Sequence, residues 1–204
     1  MAEPSIAHPW FAAVYDRMNA SMERGFMREV REEVVGGARG RILEVGCGTG
    51  ASFAYYRESG DVVAVDPDPH MLERARNKAA ALGSRMDIRG APAEALPFEA
   101  GSFDTVVATL VLCTVRDPAR ALAEVRRVLR RGGELRFCEH VRVGNRLGAL
   151  VQDALTPVWQ LIAAGCHPNR DTVEGIREAG FVVERLEWVK SAPLPVFVKG
   201  VARA

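Results

Sequence analysis

The sequence predicts an α/β fold, a doubly wound, Rossmann-like and mostly parallel seven-stranded sheet, and three observations predict it. Apolar runs of strand length alternate with amphipathic helical segments at intervals of roughly 20 to 30 residues, the spacing of β-α-β crossovers that place helices on both faces of an open sheet. The first such run, Ile42 to Val45, leads straight into glycines at positions 46, 48 and 50, a backbone stripped bare just after a buried strand. The chain closes on two strand-like segments, 181–189 and 196–202, separated by a short proline-containing loop, which predicts an antiparallel hairpin at the sheet edge.

Taken in order, residues 9–36 carry apolar positions at helical spacing and predict one or two helices ending at Gly36 and Gly37. Beyond the glycine loop, 51–59 predicts a helix closed by Gly60, 61–66 a second strand, and 70–82 a helix with its C-cap at Gly83. Residues 86–98 give a third strand and a loop, and 103–112 a strongly apolar fourth strand. The segment 118–133 has Pro118 at its start and Gly132 at its end, the marks of a helix, and 134–141 is a fifth strand. The stretch 147–165 is apolar and helical, with a break expected near Pro157, and 170–180 is an amphipathic helix capped by Gly180. No repeat or linker interrupts the pattern, so one domain is expected over 1–204. Its parts are an N-terminal helical lid (1–37), a core of alternating strands and helices (38–140), and further helices with the terminal hairpin (141–204).

Charge and cysteine usage narrow the function. The 204 residues hold 27 basic and 26 acidic side chains for a net charge of +1, so no overall field is available to gather nucleic acid. Cys47, Cys113, Cys138 and Cys166 form no C-x-x-C pair, which indicates neither a zinc ribbon nor a disulfide scaffold and suits a reducing cytoplasm. No signal peptide is apparent and no run of about 18 apolar residues occurs. Integral membrane association is therefore not expected.

The glycine loop is by itself ambiguous, because 46–51 also satisfies the G-x-G-x-x-A spacing of dinucleotide-binding folds. Its neighbours bear on the choice. Glu44, two residues before the first glycine, offers nothing to a phosphate but would favour a ligand carrying an ammonium or sulfonium. Asp66 closes the second strand, 22 residues after Glu44, where a carboxylate accepts hydrogen bonds from ribose hydroxyls. The loops after the third and fourth strands, 91–98 and 110–117, would line the same crevice at the carboxyl edge of the sheet. Each piece has a plainer reading: Glu44 as a solvated carboxylate, Asp66 as a turn residue in "DPDP", Cys47 as a small side chain in a tight loop.

Together these residues resemble the class I S-adenosylmethionine-dependent methyltransferases, closely over about 38–140 and by layout elsewhere. The resemblance implies that Gly46, Cys47, Gly48 and Gly50 contact the methionine and ribose of S-adenosyl-L-methionine, with Glu44 supporting the ammonium end. Asp66 would bind the ribose diol, Pro67 and Met71 would flank the adenine, and Ala93 with Glu94 would meet its edge. Pro92 stands where many relatives have an aspartate, and Glu94 is the nearest substitute. Leu110 and Tyr15 would close the pocket. The product would be S-adenosyl-L-homocysteine.

Methyl transfer is an in-line displacement, so the protein aligns donor and acceptor and, where needed, removes a proton from the acceptor. In the fifth strand Cys138 and His140 share one face and Glu139 takes the other; His140 is the candidate base, with local hydrogen bonding as the plainer reading. Cys138, His140, Cys166 and His167 match no recognised ligand spacing, so no metal is expected. Segments 109–141 and 157–172 are similar to the methyltransferase-like family whose vertebrate members methylate alkyl thiols. That resemblance favours a small, lipophilic thiol acceptor. An amine or hydroxyl acceptor, such as a phospholipid headgroup or a quinone precursor, is the alternative, and a non-catalytic cofactor-binding protein or a nicotinamide-dependent oxidoreductase lies beyond it. Trp10, Phe11 and Trp159 fall in the segments expected to cover an apolar acceptor, or else they pack extra helices onto the sheet. Peripheral contact with a lipid surface through the helix around Pro157, and a monomer or homodimer, complete the expectations.

Overall fold

In the computed structural model, residues 22–56, 61–163, 165–189 and 196–204 are described. Seven strands form one sheet in the order β3-β2-β1-β4-β5-β7-β6: β1 (Ile42–Val45), β2 (Val62–Asp66), β3 (Asp87–Gly90), β4 (Phe103–Thr109), β5 (Leu129–His140), β6 (Val182–Trp188) and β7 (Phe197–Arg203). The first five run parallel. The terminal hairpin inserts β7 antiparallel between β5 and β6, with Phe197 opposite His140 and Val198 opposite Trp188. The seven-stranded, mostly parallel sheet and its closing hairpin are therefore as expected.

The described helices are α1 (Phe26–Val34), α2 (Pro69–Ala81), α3 (Pro118–Val128), α4 (Arg146–Ile162) and α5 (Thr172–Glu178), with a 3-10 turn over Phe53–Tyr55. The last four each start on an Asp or Asn whose side chain accepts a backbone N–H of the first turn: Asp68 from His70, Asp117 from Arg120, Asn145 from Gly148 and Asp171 from Glu174. Proline follows the cap in α2 and α3, where a missing N–H costs nothing. Val30 and Val34 of α1 pack with Ile42, Val107 and Phe197 on one face of the sheet, where Leu72 and Ala75 of α2 meet Ala64. On the other face Leu122 and Val125 of α3 and Ile176 of α5 pack with Val106, Leu135 and Phe137. Both faces are thus covered, and β1 and β2, buried at every position, are apolar except for Glu44 and Asp66.

Three elements differ from the sequence reading. Over 51–56 only the 3-10 turn forms: Gly48 and Gly50 hold positive φ (53° and 80°), and Tyr56 is already extended so that its hydroxyl can reach Glu44 at 2.9 Å. Helix α3 stops at Val128, and 129–133 joins the fifth strand, pairing Leu129 with Phe103 before a register shift. Helix α4 runs unbroken through Pro157; the ring removes the N–H that would reach the Asp153 carbonyl, while the Thr156 hydroxyl donates to the Gln152 carbonyl at 2.7 Å. Of the expected lid, only its C-terminal part lies in the described residues, and there α1 packs on the sheet face. No described helix is long and apolar enough to cross a membrane.

Candidate active site

In a doubly wound sheet the strand order reverses between β1 and β4, and the loops leaving their carboxyl ends part to form a crevice. A cleft of about 1900 Å³ opens there. Gly46 and Gly48 line it, both in the left-handed region with φ of 64° and 53°. A side chain on Gly46 would strike Val111 at 2.6 Å, whereas one on Gly48 would project into open space. The loop therefore presents bare backbone to the cleft, with room for a ligand against it.

Asp66 closes β2 at the edge of this loop. Its two carboxylate oxygens accept from the backbone N–H groups of Gly48 and Asp68, each at 2.9 Å, which locks the carboxylate beside the glycines. Burial pushes its pKa up, against those two donors that favour the charged form. Pro67, Met71, Pro92, Ala93 and Glu94 continue the wall. Glu94 Oε1 accepts from the backbone N–H groups of Arg116 and Asp117 at 3.0 and 3.3 Å, so the loops after β3 and β4 hold each other.

Glu44, Cys47 and Gly50 lie behind this wall and do not line it. The Glu44 side chain is sealed under the glycine loop, where it accepts from the Tyr56 hydroxyl. Desolvation raises its pKa from 4.5 to about 7, the nearby Arg31 acting against the rise. Burial likewise drives the Cys47 thiol up, which makes it a packing group and no nucleophile.

The loop after β4 is the most constrained part of the site. Leu110 has φ of 60°, the one positive value outside glycine among the described residues. Fully buried Glu139 holds the turn that follows: its carboxylate accepts the backbone N–H groups of Val111, Leu112 and Cys113 at 2.8, 3.0 and 3.1 Å. Arg170 supplies the complementary charge from the other side, its Nη1 donating to the carbonyls of Leu112 and Val115, each at 2.7 Å. Thr109, which also lines the cleft, has a buried hydroxyl without a protein partner among the described residues, which fits a hydrogen bond to a ligand. The sequence reading passed over Thr109 and Arg170, and set Glu139 on the far face of the fifth strand without a role.

Deeper in the same cleft, His140 ends β5. Its ring lies 4.2 Å from that of Phe197 and 6.3 Å from that of Trp159, centroid to centroid. Nδ1 faces two sulfurs, Cys113 Sγ at 3.5 Å and Cys166 Sγ at 3.4 Å, and those sulfurs are 3.5 Å apart. Cys166 is held well below the usual thiol range by Cys113 and His140, whereas Cys113, hydrogen-bonded to Cys166 and buried, is pushed up. Cys138 shares the face of His140 but lies lower on the strand, packed with Val107 and Phe197, and takes no part. His167 also lines the cleft, and its Nδ1 has no protein partner among the described residues. Trp10, Phe11 and Tyr15 fall outside the described residues; Trp159 lines the cleft, 40% exposed.

Residues 43–137 match the family model described as "Methyltransferase domain". The chain is 39% identical over 202 residues to the thiol S-methyltransferase TMT1B of Homo sapiens, covering 91% of this chain and 82% of that one. The TMT1B of Rattus norvegicus is 41% identical over 152 residues, 72% of this chain and 62% of its own. A Thermotoga maritima structure described as an S-adenosylmethionine-dependent methyltransferase and possible histamine N-methyltransferase superposes with a TM-score of 0.71 at 21% identity, over 96% of this chain and 97% of that one, a likeness of fold. The chain belongs to the class I S-adenosylmethionine-dependent methyltransferases. The cofactor of this methyltransferase is S-adenosylmethionine, and the cleft fits it: bare glycine backbone, a fixed carboxylate at the end of β2 and a Thr109 hydroxyl with no partner among the described residues all line it.

Proposed function

We propose that this methyltransferase transfers a methyl group to a small, lipophilic thiol. One observation carries the reading: the cofactor crevice is continuous with a mostly apolar pocket in whose wall Cys113, His140 and Cys166 form a buried cluster. Phe197, Trp159, Val151 and Leu155 wall that pocket, so it suits an alkyl or aryl body with one reactive atom turned inward. Likeness to a thiol S-methyltransferase over most of the chain points the same way.

In this reading S-adenosylmethionine supplies an electrophilic methyl on a cationic sulfur. Gly46 and Gly48 would let its methionine portion lie against the backbone, Asp66 would accept from the ribose diol, and Pro67, Met71, Ala93 and Glu94 would bracket the adenine. Glu44, Cys47 and Gly50 act from behind by holding the loop in shape. Leu110, pinned by the Glu139-bound turn, closes the cleft between donor and acceptor, and Trp159 covers the acceptor. His140, expected as a free base, directs Nδ1 at the two cysteines, so the acceptor sulfur meets the three groups together.

We place the protein in the cytoplasm, as one domain acting as a monomer or homodimer; four unpaired cysteines among the described residues suit that setting. The outward side of α4 supports contact with a lipid surface from which a lipophilic acceptor could be drawn. The function is tested by release of S-adenosylhomocysteine over a panel of alkyl thiols, aryl thiols, amines and phenols. Turnover is expected with the thiols, rising with their apolar size. Turnover confined to amines or phenols would overturn the thiol reading.

A further inference from the structure

We infer that Cys113, Cys166 and His140 form a metal site with an open fourth position, one that takes a zinc-like cation and through it the sulfur of the acceptor; the acceptor clause rests on the thiol reading above. The geometry comes first. A tetrahedral zinc with bonds of about 2.3 Å to sulfur and about 2.0–2.1 Å to nitrogen sets its sulfurs roughly 3.8 Å apart and each sulfur about 3.5 Å from the nitrogen. The three atoms here are separated by 3.5, 3.5 and 3.4 Å, so a cation fits between them with shifts of a few tenths of an ångström at most. All three side chains are buried, yet all three line the cleft, which leaves the fourth direction facing the acceptor pocket.

Second, the ligands are held as outer groups hold ligands in metal sites. The Cys113 backbone N–H is bound by Glu139 at 3.1 Å and its carbonyl accepts from the backbone N–H of His167 at 2.7 Å, which ties the loop of one cysteine to the loop of the other. Arg170 clamps the same turn, and the Thr172 hydroxyl donates to the His140 carbonyl at 3.1 Å. A buried hydrophobic contact would need no such frame. In the sequence, His140 and Cys166 stand in a candidate set with Cys138 and His167 that matches no ligand spacing; Cys113 is missed because the ligands come from separate loops and a strand end, at separations of 27 and 26 positions along the chain.

Third, the charges balance. Two thiolates and a neutral imidazole cancel a divalent cation, so the centre is neutral and burying it is cheap in electrostatic terms. When an acceptor thiol takes the fourth position its S–H proton leaves to solvent, and the centre gains one negative charge. The acceptor sulfur then uses a lone pair to form its bond to the donor methyl carbon. The bond from that carbon to the sulfonium sulfur breaks, and its electron pair stays there to give neutral S-adenosylhomocysteine. The thioether product is a far weaker ligand than a thiolate and departs. Binding to the cation thus makes a thiolate at neutral pH without a free base.

The test uses the full chain, stripped by chelator, kept reduced under anaerobic conditions and titrated with cobalt(II). One equivalent is expected to give sulfur-to-cobalt charge transfer in the near ultraviolet and the visible bands of a tetrahedral centre. Those bands should vanish in Cys113→Ser and in Cys166→Ser, persist in Cys138→Ala, and shift on addition of a small alkyl thiol. Calorimetric binding of S-adenosylhomocysteine by each variant shows that it is folded. A parent chain that binds S-adenosylhomocysteine but gives no tetrahedral cobalt spectrum would overturn the site, as would bands that survive both serine variants. A cobalt spectrum that ignores thiols, in a protein that methylates only amines or phenols, would uphold the metal site and sink the thiol reading alone.

Discussion

Glu44 sits at the third position of β1 with no solvent to stabilise its charge, and its pKa of about 7 against an ordinary 4.5 makes it a stability switch. Because the folded chain binds this proton more tightly than the unfolded one, its contribution to folding is fully present below about pH 4.5 and is lost as pH rises through about 7. The difference amounts to on the order of 3 kcal/mol at alkaline pH. Glu44→Gln, which keeps the shape and cannot ionise, should therefore gain on the parent as pH rises from 5 to 8 in parallel urea titrations; a constant offset between them would show that Glu44 does not titrate in that window. The neighbouring glycines separate two costs. In Gly46→Ala the methyl meets Val111 at 2.6 Å on a left-handed backbone, so stability falls with cofactor binding. In Gly48→Ala the methyl finds open space and costs about 1 kcal/mol of backbone strain, while affinity for S-adenosylhomocysteine, read by calorimetry, drops at least tenfold. The place of Asp66 and Gly48 on the cleft wall was legible because it follows from position along one strand and one loop. Cys113 and Arg170 were not, since each acts through a partner about 27 or 58 residues away: the pairing of β4 with β5 brings Cys113 to His140, and the loop before α5 folds back to bring Arg170 to Leu112.

At the scale of elements, β5 holds α1 through one buried side chain. Arg136 Nε donates to the Val34 carbonyl at 2.7 Å and Nη2 to the Glu33 carbonyl at 2.9 Å, satisfying acceptors at the end of α1. Nη1 meets Glu134 at 3.2 Å. Arg136→Met keeps the stem and removes the donors, leaving a buried carbonyl unpaired. Stability should fall by about 2–3 kcal/mol, seen as a lower urea midpoint with an unchanged slope. Elements with local signals were readable in the sequence: Pro118 at the start of α3, and the apolar runs 62–65 of β2 and 106–108 of β4. Those set by tertiary contacts were not. The segment 53–56 gives up helix to place the Tyr56 hydroxyl on Glu44, and 129–133 gives it up to pair with Phe103. Helix α4 survives Pro157 because one lost N–H does not outweigh the remaining bonds of its 17 residues.

At the scale of the molecule, α4 is apolar on two sides at once. Leu147, Val151, Leu155, Trp159 and Ile162 face the cleft, which accounts for them as walls of the acceptor pocket. Leu150, Ala154, Val158 and Leu161 form a second stripe outside it, with Leu150, Val158 and Leu161 exposed by 59%, 61% and 79%. The helix is buried only at Ala149 and Thr156, and its cleft side is open too, with Leu147 and Leu155 exposed by 75% and 60%; an acceptor in the cleft would cover that side, so the outer stripe calls for a purpose of its own. It carries no basic rim, and contact with a lipid surface would draw on apolar burial more than on anionic headgroups. A helix lying with that stripe against the bilayer would turn the cleft mouth toward the phase in which lipophilic thiols concentrate. Leu150→Gln with Leu161→Gln should then abolish cosedimentation with phosphatidylcholine vesicles. It should raise the apparent KM for a long-chain thiol presented in those vesicles several-fold and leave turnover of a short, water-soluble thiol unchanged, because neither residue lines the cleft. Equal losses on both substrates would mean that the stripe supports the fold of α4 and does not meet lipid.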